Sequence, residues 1–315
     1  MNKSHKMQKA TRTVTQPVGT TASKHWGQCK ALTARRLVYA VGFVALYLLL
    51  AWGYGDVLAR AEQESYVSTS ADTMYYLLSQ PLGHWYALLR WPLLLFKCPW
   101  VGALLLAAMY TLTARLADVA LRLPRQFEGL GFVVPLAQVG WMIWRGSNLY
   151  YKHEPSLFLA VSVYVLVGVA ILALVSWLIT RKQVRNVPAK VYPLGLVVTL
   201  VLTAATAGAA RYFNQNEILL ARMQLMQWQQ NWDGMIDAAR SAQRPDRAVA
   251  AYHAVALEEQ DQLLDGVFDI PYDYPKARLD TIDGNEEYGQ FLADCNYHAG
   301  LLNAGYRCAM DHVVM

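Results

Sequence analysis

Long uncharged stretches alternate with short charged ones along the first two thirds of this chain. Residues 155–180 are twenty-six consecutive residues without a charge, and residues 191–210 are twenty more. A transmembrane helix needs about 20 apolar residues to cross a hydrocarbon core roughly 30 Å thick. The pattern therefore predicts a membrane hairpin, and with it a polytopic membrane protein. The connection between the two stretches is basic, with Arg181, Lys182, Arg185 and Lys190.

Five stretches are candidates for transmembrane helices. We predict spans at residues 37–54, 88–112, 129–144, 156–179 and 191–212. The second span begins with Arg90 and Lys97, which are close enough to its end to extend toward lipid headgroups. The third span is short and contains Pro135 and Gln138, so it needs support from the loops.

The distribution of basic residues supports the third span. With five spans, residues 1–36, 113–128 and 181–190 all face the cytoplasm, and each of these segments is rich in Lys and Arg. Without it, residues 181–190 would be exported, against the tendency of positively charged loops to remain inside. Five spans also place the carboxyl-terminal part outside the cytoplasm.

The two ends of the chain carry opposite charge. Residues 1–36 hold eight Lys and Arg and no acid, which predicts a disordered cytoplasmic tail; an organelle transit peptide is an alternative. Residues 211–315 hold sixteen Asp and Glu against eight Lys and Arg. The net charge of +5 averages these opposite ends, so it does not indicate nucleic-acid binding.

Residues 213–315 have the pattern of soluble helices. Pro245 suits a first helical position, and an apolar stripe at helical spacing follows it. The stripe is Val249, Tyr252, Ala256, Leu263 and Val267. We therefore predict an all-α fold: five transmembrane helices followed by an acidic helical extracytoplasmic domain.

Part of this domain matches tetratricopeptide repeats. Trp232, Ala248 and Tyr252 stand at the offsets of the tryptophan, small and aromatic residues of such a repeat, whereas Ile236 replaces its glycine. A repeat-like array and an unrelated helical bundle both fit. A repeat array closes with a polar cap, so the helical pattern at Met315 leads us to expect a chain that continues.

The order of parts is a basic tail, a few spans and a repeat-like helical half that carries Trp232 and Tyr252. In this order the chain resembles uncharacterised bacterial polytopic inner-membrane proteins with a tetratricopeptide-like periplasmic carboxyl-terminal half. The resemblance implies a multi-pass protein of the bacterial inner membrane, with a cytoplasmic amino terminus and a periplasmic carboxyl terminus.

Candidate site residues lie near the predicted outer surface of the membrane. Asp56 follows the first span, as catalytic acids do in the large polytopic transferases of lipid-linked sugars, but those enzymes have more spans, and we expect a solvated loop acid. Arg90 and Lys97 suit a lipid phosphate or act as interfacial anchors. His153 next to an acid can be a general base, or it belongs with Arg145 to a polar interface loop.

In the outer domain we expect partner contacts at aromatic residues. These are Trp232, Tyr252, Tyr272 and Tyr274. Cys295 and Cys308 could form a disulfide only if the chain turns between them, because thirteen residues of one helix rise about 20 Å. The chain has no P-loop, HExxH or CxxC motif, so we expect no cofactor and no metal.

These patterns leave two classes of function. The first is a membrane-anchored interaction scaffold that binds the bilayer and another envelope protein through its helical outer domain. The second is a polytopic enzyme or transporter acting on a lipid-linked substrate at the outer leaflet. Spans four and five contain no ionisable residue in their uncharged cores, although coupled transport usually needs one. We therefore favour the scaffold and keep the enzyme or transporter as the alternative.

Overall fold

The structure is a computed structural model that describes residues 36–63, 67, 69–79, 83–123, 127–144, 157–179, 194–272 and 289–314. All regular structure in these residues is helical, which confirms the all-α fold class. The first eight helices are α1 Arg36–Gly53, α2 Gly55–Gln63, α3 Ala71–Ser79, α4 Gly83–Leu93, α5 Pro99–Ala120, α6 Val133–Trp144, α7 Leu157–Ile179 and α8 Leu194–Phe213. The others are α9 Gln215–Trp228, α10 Trp232–Arg240, α11 Arg247–Glu258, α12 Leu263–Gly266, α13 Gly289–His298 and α14 Leu302–Val314.

Four of these helices are long and apolar enough to cross a membrane, by length and composition. They are α1, α5, α7 and α8, and they indicate a membrane protein. The predicted third span is a shorter apolar helix, Leu130–Trp144, in which a 3₁₀ turn leads into α6. At 1.5 Å per residue it is about 22 Å long, less than the roughly 30 Å hydrocarbon core. Four spans are thus supported, and the fifth stays a prediction.

The second long helix lies later in the chain than the predicted span 88–112. Pro92 is inside α4, and a 3₁₀ segment, Leu94–Lys97, follows that helix. Cys98 is then extended, with φ −104° and ψ 104°, and Pro99 opens α5 at a first-turn position. Proline lacks the amide hydrogen that a continuous helix needs but fits a first turn. The apolar run is therefore split, and the spanning helix is Pro99–Ala120.

Helices α5 and α7 run in the same direction. Contacts join their beginnings, their middles and their ends, and the segment just before α5 takes part. The contacts are Phe96 with Phe158 at 5.7 Å between ring centroids, the hydroxyls of Tyr110 and Ser162 at 3.2 Å, and Arg122 Nε donating to Ser176 Oγ at 2.9 Å.

Helix α1 runs against α5. Trp52, near the end of α1, packs edge-on against Trp100 with ring centroids 6.3 Å apart. Near the beginning of α1, the Tyr39 hydroxyl donates to Asp118 Oδ2 at 2.6 Å. Asp118 also accepts a hydrogen bond from the Gly129 amide, in the turn before α6. Helix α8 begins beside this turn, where Thr199 Oγ1 donates to the Gly129 carbonyl at 3.1 Å. The beginnings of α1 and α8 thus lie with the ends of α5 and α7.

We call this end of the bundle the basic end, because Arg36 begins α1 and Arg122 follows α5 there. The opposite end is the domain end. Helices α2 and α9 pack together on it, and Ala221 of α9 belongs to the buried core of the bundle. Other α9 residues, including Leu220 and Met223, belong to a second buried core with α10 and α11, which we call the outer core.

Local signals explain where the outer helices begin. The side chain of Asn231 accepts a hydrogen bond from the Gly234 amide and caps α10, and Asp246 does the same for α11 through the Val249 amide. Such caps satisfy amides that have no partner within the helix. Gly300 has φ +74°, a conformation that glycine adopts easily, and it turns the chain from α13 into α14.

Candidate functional site

A polar seam joins α13 to the other outer helices. The Tyr252 side chain is fully buried, and its hydroxyl donates to Asp294 Oδ2 at 2.5 Å. Gln224 Nε2 in turn donates to the Tyr252 hydroxyl at 3.2 Å. Burial, followed by the negative charge of Asp294, raises the pKa of Tyr252 well above its usual value. The tyrosine therefore stays protonated and serves as a hydrogen-bonded link between α9, α11 and α13.

A histidine forms the second part of this seam. His298 Nδ1 lies 2.7 Å from Glu259 Oε1, and its Nε2 lies 3.0 Å from Gln227 Nε2. The tautomer protonated at Nδ1 satisfies both contacts, because Nε2 then accepts from the amide. Trp232 packs edge-on against the same ring, with centroids 5.6 Å apart. The seam thus holds the end of α13 against α9, α10 and the end of α11.

His253 lies on α11 and is completely buried, and neither ring nitrogen has a hydrogen-bond partner among the described residues. Arg240 and Asp269 interact with it electrostatically, and they form an ion pair with each other at 2.7 Å. Burial and, next, the positive charge of Arg240 lower the pKa of His253, while Asp269 opposes this. Protonating this ring would place a charge in an apolar core.

Acidification should therefore destabilise the outer domain through His253. The folded state lowers this pKa, so the unfolded chain binds more protons below about pH 6.5, the usual histidine value. The contribution of neutral His253 to the unfolding free energy is fully present above that pH. It falls as the pH drops, by at most about 1.4 kcal/mol per pH unit. Hydrogen exchange of α11 peptides in the full chain, between about pH 7.5 and pH 5, measures this.

The matched variant is His253→Leu, which removes the titrating group and keeps the other histidines. We expect its α11 amides to lose much less protection on acidification than those of the wild type. An equal loss of protection in both proteins would show that His253 is not responsible.

The candidate partner-binding residues have different surroundings. Tyr252 and Trp232 both contact residues of the seam. Tyr272 is partly buried and packs against the outer core. Tyr274 lies outside the described residues.

Asp56 at the domain end pairs with a residue that sequence analysis did not select. Arg222 Nε donates to Asp56 Oδ2 at 2.9 Å and so links α9 to α2. One turn later Arg60 is fully buried, with its guanidinium 5.5 Å from the ring centroid of Trp228. Its Nη1 also donates to Gln63 Oε1 at 3.2 Å. These contacts fasten the outer domain to the membrane bundle.

The other candidate lipid contacts are only partly visible. Arg90 is half-buried on α4, and Lys97 is exposed at the end of the 3₁₀ segment that follows it. Arg145 and His153 lie outside the described residues. Lys97 stands two residues before the start of α5, which places its charge next to the domain end of a spanning helix.

Asp118 is buried at the basic end, and the sequence did not single it out as a candidate residue. Besides the Tyr39 hydroxyl, it accepts hydrogen bonds from two backbone amides, Gly129 at 2.9 Å and Gly131 at 2.7 Å. Gly129 has φ +98°, and a Cβ on Gly131 would collide with the Ala114 carbonyl. The sequence signal was a single acid between Arg115 and Arg122, followed by two glycines.

The described cysteines are free. Cys295 and Cys308 lie on α13 and α14, so the chain does turn between them, yet they form no disulfide. Cys295 packs against the outer core, and burial raises the pKa of its thiol to about 12. Within the described residues, no group of three or more His, Cys, Asp and Glu is placed to hold a metal ion.

Comparison with known protein families gives a match. The model of a "Family of unknown function (DUF6057)" matches residues 30–152 and 142–315, which together cover most of the chain. No curated protein and no solved structure matches.

Proposed function

Because the chain belongs to the family of unknown function DUF6057, we propose its role from its geometry: it is a membrane-anchored interaction scaffold of the bacterial envelope. Its spans hold a helical domain outside the cytoplasm, and that domain docks another protein. The observation that carries this proposal is an apolar stripe on the hairpin formed by α13 and α14.

The terminal stripe consists of five large apolar side chains, all exposed. They are Tyr297, Leu301, Leu302, Tyr306 and Met310. Leu302, Tyr306 and Met310 are four residues apart and so share one face of α14. Gly305 lies on a neighbouring side of α14 that faces α13, where a Cβ would be 3.2 Å from both the Ala293 carbonyl oxygen and the Tyr297 amide nitrogen. A row of exposed apolar side chains on one helix face is typical of an interaction site.

The shape of the terminal stripe favours a helical partner. A row at four-residue spacing is the ridge that packs between the ridges of another helix. Amphipathic helices bind such surfaces through their own apolar faces. The hairpin that carries the stripe is held at its base by the seam contacts of Asp294 and His298. We propose that the occupant is an apolar helix face of an envelope protein.

The directions of the helices support the sidedness. Since α5 and α7 run in the same direction, the chain between them, residues 121–156, has to return across the membrane. The apolar helix Leu130–Trp144 lies in that segment. This favours five crossings, with the amino terminus and α9–α14 on opposite sides. Arg36, Arg115 and Arg122 mark the basic end, which the positive-inside rule assigns to the cytoplasm.

Site-specific crosslinking tests the docking. A photo-crosslinking residue at Tyr306 in the full chain should capture one species in native membranes, whereas the same residue at Leu264, an exposed position outside the terminal stripe, should not. Leu302→Glu should reduce the yield roughly tenfold, equivalent to about 1.4 kcal/mol, because a charge enters an apolar contact.

The control for that substitution is Leu264→Glu, which should leave the yield at Tyr306 unchanged. Equal capture from both positions, or capture that survives Leu302→Glu, would contradict the proposal. A product with the mass of two copies of this chain would mean self-association in place of a different partner. Absence of any product would favour an enzyme or transporter acting at the domain end.

A further inference from the structure

Helices α3 and α4 form a hairpin in the segment that sequence analysis assigned to an external loop. They pack against each other, with α3 over Ala71–Ser79 and α4 over Gly83–Leu93. Helix α4 also packs on α7, which is the most apolar of the long helices. The position of these contacts along α7 gives the depth of the hairpin.

Two ring contacts fix that depth. The Trp85 ring packs edge-on against Tyr164, with centroids 5.7 Å apart. Phe96, after the end of α4, packs against Phe158 at the same separation. Tyr164 lies seven residues inside α7, or about 10 Å from its beginning at 1.5 Å per residue. The chain therefore moves toward the domain end as it passes from Trp85 to Phe96.

The beginning of α4 is consequently its deeper end. Because α3 contacts α4 and ends at Ser79, four positions before α4 begins at Gly83, the end of α3 lies near that depth as well. Pro99 then opens α5 at the domain end. From this depth the chain returns along α4 to the domain end and then crosses along α5.

Large apolar side chains make up much of the exposed surface of the hairpin. On α3 and α4 the exposed large side chains are Tyr75, Tyr76, Leu78, Trp85, Leu88 and Trp91. Leu88 is 60% exposed, the same as Leu172 of the spanning helix α7 at 61%. The hydroxyl of Ser79 donates to the Tyr76 carbonyl at 2.7 Å, so this polar group is satisfied within α3. Asp72 is in the first turn of α3, away from the deep end.

We propose that α3 and α4 form a re-entrant hairpin, whose outward face contacts the acyl chains of the leaflet at the domain end. The depth of the Trp85 contact and the apolar exposed face support the same placement. Trp91 and Trp100 lie near the domain end, where α4 ends and α5 begins, and both rings are exposed. Amphipathic rings of this kind favour a membrane interface. This placement rests on the spans α5 and α7 and does not depend on a docking partner.

His84 is exposed in the first turn of α4, so a polar side chain lies at the deeper end of this helix.

Spin-label accessibility tests this placement in the full chain. Single cysteines at Leu78 and Leu88, in a variant without the four native cysteines, are labelled and reconstituted into phosphatidylcholine and phosphatidylglycerol vesicles. Oxygen concentrates in the acyl region, whereas a nickel chelate stays in water. We expect both labels to be relaxed more by oxygen, as at Leu172, the lipid-facing control on α7.

Leu264, at 92% exposure on α12, supplies the aqueous control and should show the opposite preference. A label at Asp72 should be more accessible to nickel than one at Leu78, because the beginning of the proposed hairpin lies nearer the membrane surface. Labels at Leu78 and Leu88 that behave like Leu264 would overturn the proposal. Labels there that neither reagent reaches would also overturn it, because protein would then cover the face.

Discussion

Replacing Asp118 with Ala will lower the unfolding free energy by about 3 kcal/mol or more, because it leaves three buried donors without an acceptor. These donors are the Tyr39 hydroxyl and the amides of Gly129 and Gly131. A buried donor without a partner costs about 1–3 kcal/mol, and little water is available at this site to replace the carboxylate. The contacts join α1, α5 and the turn before α6, so the loss should affect the whole bundle.

The measurement is the melting temperature of the purified full chain in detergent, where we expect a fall of roughly 5–10 °C. Asp118→Asn should lie between wild type and Asp118→Ala, since its one carbonyl oxygen can still accept from some of the donors. Asp72→Ala removes an exposed carboxylate and should leave the melting temperature nearly unchanged. If Asp118→Ala melts within a degree or two of Asp72→Ala, Asp118 does not hold the bundle together.

The sequence predicted the long membrane helices because their signal is local. Residues 156–179 are uncharged and longer than a membrane core requires, so no tertiary contact could change their assignment. The segment from residue 88 to 99 was misjudged because apolar content alone does not locate the break that Pro92 and Pro99 impose. Helices α3 and α4 have only 9 and 11 residues, too few to cross a membrane, so the length of apolar runs did not predict them.

The candidate site depended on contacts that a single sequence does not reveal. Trp232 and Tyr252 were selected by spacing, but their neighbours His298 and Asp294 come from a helix far along the chain. Gln227 and His298 are 71 residues apart. Asp56 was selected for its place after a span, whereas its partner Arg222 is 166 residues away. Local patterns therefore found some members of each cluster and missed the cluster itself.

The domain end and the basic end of the bundle are held together by different kinds of contact. At the domain end, Asp56 and Arg222 join α2 to α9 through a partly exposed ion pair, which contributes at most about 1 kcal/mol. The burial of Ala221 in the bundle core adds apolar contact there, and the buried guanidinium of Arg60 adds a cation–π contact with Trp228. At the basic end, Asp118 and the neighbouring glycines fix helix positions by close approach. The basic end should therefore be less tolerant of substitution than the domain end.

Gly195→Ala should be the most damaging of the small substitutions on α8. A Cβ at Gly195 would overlap the carbonyl oxygen of Glu128, and the atoms that block it are backbone, which cannot rotate away. The turn at Gly129 would have to shift, and with it the hydrogen bond from Thr199 Oγ1 to the Gly129 carbonyl. Overpacking of this kind costs about 1–3 kcal/mol.

Gly208→Ala on the same helix is the matched control, because no atom outside its own helix lies within 4 Å of the new Cβ. Alanine favours a helix over glycine by up to about 1 kcal/mol, so this variant should be neutral or slightly more stable. The two substitutions add the same methyl group to α8, and the difference between their melting temperatures therefore isolates the contact with Glu128. Equal melting temperatures would mean that α8 does not approach the turn before α6 as closely as described, and the arrangement of the basic end would need revision.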